Sequence, residues 1–114
     1  MIEKTICDFL SERASVPVYM TEPAEGIADE YILIHKSGGM YENRITSALL
    51  LVKCISTQSL YRAAEICYEV ISIMDDAVTL DEVASCRPNS PGYNNSDTAS
   101  MQYRYDATFD ITHY

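Results

Sequence analysis

At 114 residues the chain is long enough for one domain with a modest core, burying about two-thirds of its unfolded surface. A 47% hydrophobic and 22% charged composition is that of an ordinary globular protein and excludes a wholly disordered chain. Seventeen acidic against eight basic residues give a net charge of −9, which argues against a protein that grips nucleic acid by neutralising phosphates.

Residues Ile2 to Ala14 carry Ile2, Ile6, Phe9 and Leu10 at helical spacing, which predicts a short amphipathic helix. Pro17 stops it, "SVPVYM" turns extended and "TEPAEG" reads as a loop. "EYILIHK" is a β segment, with "SGG" as the turn after it. From Asn43 to Thr57 a second β segment is apolar on both alternating sets at its centre, the pattern of a strand covered on both sides. If the helices cover one face, the set containing Leu50 and Val52 is expected on the other, awaiting a neighbouring chain. Ser56, Thr57 and Ser59 are candidate caps for a helix running to about Met74. Its expected inward stripe is Leu60, Ala63, Ala64, Cys67, Val70, Ile71 and Met74. A strand around Asp81 to Arg87 follows, and the Pro-, Gly- and Asn-rich stretch from Pro88 to Ser100 reads as a flexible loop. The chain closes on "MQYRYDATFDITHY", fourteen residues of strict alternation that predict a strand. The order α-β-β-β-α-β-β implies a single α+β domain over residues 1–114, with a mainly antiparallel sheet of four to five strands and two helices packed on one face.

The sequence offers little catalytic chemistry. Cys7, Cys54, Cys67 and Cys86 have no metal-ligand spacing and read as small buried hydrophobes of a reducing cytoplasm. His35 and His113 each fall in a strand pattern, where a hydrogen-bonded structural role is the default. Asp75–Asp76 with Asp81–Glu82 could hold a divalent cation, but a solvated turn explains them as well. No signal-peptide pattern opens the chain, and the longest apolar run, Ala48 to Val52, is far too short to span a bilayer. The expectation is therefore no enzyme, no cofactor, no metal and no membrane. Nine tyrosines, some in loops, favour contact with other proteins instead.

"VPVYMTEP" (Val16 to Pro23), "EYILIHKSGG" (Glu30 to Gly39) and "YRYDATFDITHY" (Tyr103 to Tyr114), with the alanine pair Ala63-Ala64 between them, resemble the tail terminators of long-tailed phages and prophages. These are small tail-completion proteins, and the resemblance runs along nearly the whole chain. It implies a structural virion protein at the head-proximal end of the tail, assembled in the host cytoplasm. Subunits of that group form a ring, commonly a hexamer, that caps the tail tube, stops its polymerisation and offers a face to the head-completion protein. DNA passes through the lumen without sequence-specific binding, and an acidic lining would let it slide. Interface candidates, from expected exposure on the outer sheet face or in loops, are Tyr41, Arg44, Leu50, Val52, Tyr93 and Arg104. Competing readings are a neck or head-closure connector of the same virion, a small cytosolic thiol hydrolase using Cys54 or Cys86 with a histidine, and a monomeric ligand-binding module.

Overall fold

The computed structural model describes residues 2–21, 29–42, 45–96 and 102–114, with backbone alone at 37–42, 45 and 91. Helix α1 spans Ile2–Arg13, β1 Val18–Tyr19, β2 Glu30–Glu42, β3 Ile45–Ser56, α2 Leu60–Met74, β4 Val83–Asn94 and β5 Tyr103–His113, with a short 3-10 turn at Ala77–Thr79. The five strands lie in the order β1-β2-β3-β5-β4. Among the described residues the β1–β2 pair is parallel and the β2–β3, β3–β5 and β4–β5 pairs are antiparallel. This is the α+β arrangement expected from the sequence. The closing strand stays ordered because it is central: β5 pairs with β3 from Thr46↔His113 to Ser56↔Tyr103 and with β4 on its other side.

Alternation decides which side chains meet the helices. Ile32 and Ile34 of β2, Ala48, Leu50, Val52 and Cys54 of β3, and Ala107, Phe109 and Ile111 of β5 form one buried layer. Ile2, Ile6, Phe9 and Leu10 of α1 and Ile66, Cys67, Val70 and Met74 of α2 close over it. Ser59 caps α2, its Oγ accepting from the Arg62 backbone N–H at 3.1 Å. Glu69 of α2 accepts from the Ser15 backbone N–H at 2.8 Å and from its hydroxyl at 2.9 Å, tying the chain beyond α1 to α2. At the other end of α2, Arg62 Nε donates to Glu30 at 2.8 Å, joining the helix to the start of β2.

Three expectations need correction. First, Leu50 and Val52 are not on an uncovered face; both are 0% exposed, inside the helix-covered core. Both alternating sets of β3 are apolar, so periodicity could not say which one the helices take. Second, "SGG" is not the turn: β2 runs through Ser37, Gly38 and Gly39, with a register shift between Lys36 and Gly38 that leaves Ser37 as the extra residue of a bulge while Gly38 and Gly39 pair with Leu49 and Ala48. Third, the segment from Pro88 is not a flexible loop as far as Asn94; it is the second half of β4. As an edge strand β4 can accommodate prolines, and three register shifts break its pairing with β5. Gly92, at φ +109°, sits in the last of these, where an added Cβ would stand 3.0 Å from Tyr105 Cε1 and 3.2 Å from Cys67 Sγ. Residues 22–26 of the expected "TEPAEG" loop, and residues 97–100 of the expected loop from Pro88, lie outside the described residues.

Candidate assembly surface

Neither helix lies over the second face of the sheet. Register places its side chains in transverse rows: Leu49, Asp110 and Arg87; then His35, Leu51, Thr108 and Ser90; then Leu33, Lys53, Asp106 and Tyr93; then Tyr31, Ile55 and Arg104. At the end of the face nearest the start of β2, Tyr31, Leu33 and Ile55 are buried in a small second cluster with Tyr19. Tyr19 meets Tyr31 edge-on, ring centroids 6.0 Å apart. Ile55 of the second apolar set of β3 is therefore sheltered within the chain. Leu49 and Leu51, further along, remain half-buried among polar neighbours.

A buried carboxylate organises the β4–β5 side. Asp106 is fully buried although no helix covers this face. Its Oδ2 accepts from Asn95 Nδ2 at 2.8 Å, and its Oδ1 lies 3.2 Å from Arg104 Nε. That second contact is an ion pair without a well-directed hydrogen bond. Ser96 extends the arrangement, its hydroxyl accepting from the Arg104 backbone N–H at 3.1 Å. Towards the other end Asn89 donates to Asp110 at 2.9 Å, and the Ser85 and Thr112 hydroxyls bond to each other at 2.5 Å. These side chain–side chain bonds hold the bulged β4 to β5 where its backbone ladder is interrupted.

Of the residues expected at an interface, Tyr93 and Arg104 come together here. Tyr93 is exposed and faces Asp106 across the strand pair, while Arg104 is half-buried against Asp106 itself. Tyr41 pairs with Thr46 near the end of the β2–β3 hairpin, and Arg44 lies outside the described residues. Leu50 and Val52 belong to the core. Sequence reasoning passed over Asp106, Lys53 and Leu51, although the polar set of the closing strand, Arg104 to Thr112, was the signal for this face.

The helix layer presents a different surface. Tyr61 is 75% exposed and Tyr68 56%, two turns apart on α2. Tyr68 packs against Tyr105, centroids 6.0 Å apart, and their hydrogen bond raises the Tyr105 phenol above its ordinary range. Three of the four thiols, Cys7, Cys54 and Cys86, are shifted upward, while Cys67, fully buried, is lowered by its hydrogen bond with Cys54. Cys54, hydrogen-bonded to Cys67 and buried, is held well above the usual thiol range. Burial, with Asp75 adding to it, pushes Cys86 up to about 11. Among the described residues no three acidic, histidine or cysteine side chains gather as metal ligands, and no helix is long and apolar enough to cross a membrane.

No family profile matches the sequence, and no curated protein matches it. Among solved structures, the fold is similar to that of a chain from the virion of a native gene transfer agent particle. The likeness has a TM-score of 0.67 at 11% identity and covers 95% of this chain and 83% of the other. At that identity the two share a fold, and the α+β arrangement above is that fold.

Proposed function

We propose that this protein is a structural subunit of a phage-like virion: a tail terminator whose ring caps the tail tube, ends its growth and offers a docking face to the head. The observation that carries the reading is the fold likeness over almost the whole chain to a component of a gene transfer agent virion. The surfaces agree with a role in assembly. Among the described residues one side of the sheet has no helical cover and keeps two half-buried leucines, and the tyrosines of α2 stand in solvent. Large amphipathic rings of that kind are the common currency of protein interfaces. Capping works by mismatch: one face of the ring complements the last ring of tube protein, and the opposite face does not complement another.

The protein acts without catalysis or cofactor on this reading. An activated thiol would need a lowered pKa and access to a substrate, whereas Cys54 and Cys86 are both shifted upward and Cys67, the one lowered, is fully buried against Cys54. Negative-stain imaging of the protein mixed with purified tail tubes tests the role. A terminator decorates tube ends and prevents their further elongation by added tube protein. Bare, elongating tubes with the protein bound to the head-side connector instead would move it to the neck.

A further inference from the structure

Charge is divided unequally between the two sides of the sheet. The helix layer, residues 2–13 and 60–82, holds nine acidic and three basic side chains. All three bases are already paired there: Lys4 with Asp8 at 2.8 Å, Arg13 with Glu12 at 3.3 Å, and Arg62 with Glu30 at 2.8 Å. Asp75, Asp76, Asp81 and Glu82 crowd around the 3-10 turn, and all four are exposed. At their centre Val78 is 49% exposed, an apolar tip in an acidic collar.

Among the described residues the helix-free side lacks that acidic excess, and of its three bases only Arg104 is paired, with Asp106 at 3.2 Å. Lys53, Arg87 and Arg104 lie on it with Asp106 and Asp110, and both acids already accept hydrogen bonds from asparagines of the same chain. Lys53 lies in the row next to half-buried Leu51, and Arg87 shares the row of half-buried Leu49 with Asp110 between them. A pair of half-buried leucines with Lys53 and Arg87 nearby, on the side where bases outnumber acids, thus meets an apolar tip with an acidic rim on the other.

From this complementarity we propose that the 3-10 turn of one copy, Val78 within its acidic collar, docks on the Leu49–Leu51 face of the next copy. Because the two patches lie on opposite sides of the sheet, the contact is head-to-tail and cannot be closed by a two-fold axis. It repeats from copy to copy until it closes on itself. The proposal rests on the ring reading for its biological purpose, but the contact can be tested without the tail.

Charge exchange gives the test. The sheet-side variant carries Lys53→Glu and Arg87→Glu, and the turn-side variant carries Asp76→Lys and Asp81→Lys; circular dichroism and thermal melting establish that each is folded. Sedimentation is measured at low salt over a wide concentration range. The wild type is expected to associate with increasing concentration, and each variant alone to associate at least about tenfold more weakly, since like charges then face each other. An equal mixture of the two is expected to associate again, because every contact in an alternating assembly pairs opposite charges. Should Lys53→Glu unfold the chain against the neighbouring Asp106, Lys53→Gln with Arg87→Gln replaces it and is expected to weaken association without reversal. A wild type that associates while the variants associate equally well overturns this contact and leaves the capping reading intact. A mixture that stays monomeric, or a wild type that never associates, also overturns the contact; the capping reading is judged separately on tube ends.

Discussion

Leu50 and Leu51 are the same residue type, adjacent in one central strand and pointing to opposite sides of the sheet, so truncating each in turn weighs the two faces directly. Leu50 is fully buried beside Phe109 in the layer closed by α1 and α2. Leu50→Ala removes three carbons' worth of burial, about 2.4 kcal/mol at roughly 0.8 kcal/mol per methylene. The cavity left among close-packed neighbours raises the cost to about 3–4 kcal/mol. In a chain of this length that is a fall in Tm of roughly 12–16 °C, at about 4 °C per kcal/mol. Leu51 is only half-buried, between His35 and Thr108. Its truncation costs about 1 kcal/mol, because much of the side chain already meets water and no helix packs over it. Urea denaturation of the dilute monomer, followed by far-ultraviolet circular dichroism, reads both. Equal losses, or a larger loss at Leu51, would refute the placement of the helices over the Leu50 face.

Two further substitutions probe the edge strand and the buried thiol. Gly92→Ala forces a side chain into a positive-φ position with Tyr105 at 3.0 Å, so it is expected to destabilise by about 1–3 kcal/mol, whereas Ser90→Ala on the same strand changes stability by under about 1 kcal/mol; paired urea melts check both. The Cys86 thiol, raised from 9.0 to about 11 in the folded chain, is favoured in its protonated form by folding. Its contribution is therefore fully present below pH 9 and is lost as the pH rises towards 11. Cys86→Ala is expected to flatten the fall in stability across that window, and alkylation of the native Cys86 should stay slow until the same range. Rapid alkylation near neutral pH would contradict it.

Much of the fold could be read from the residues. The two helices and the closing strand carry unambiguous periods, and Ile2 to Arg13, Leu60 to Met74 and Tyr103 to His113 fold as their spacing predicts. What resisted reading has specific causes. Pattern cannot rank two apolar sets on one strand, and the choice between Leu50 and Leu51 is made only when α2 packs across β3 and β5. The composition of Pro88 to Asn94 is that of a loop, yet the segment pairs because side-chain bonds from Asn89 and Asn95 supplement a ladder broken by bulges. Ile66 joins the buried stripe of α2 while Leu60, Ala64 and Ile71 are only half-buried, because the stripe that meets the sheet is rotated about the helix from the expected one. The helix-free face was the least legible, since its organising group, the buried Asp106, looks in sequence like any solvated strand acid.

The measurement that bears most directly on the account is the mass of the protein by light scattering, alone and with its tail tube protein. Capping by a ring requires that a 12.8 kDa chain be recovered as a closed multiple of itself once tube ends are supplied, and that the tubes stop lengthening at that point. A protein that remains a single chain in both samples, with tubes elongating past it, would contradict the assembly reading.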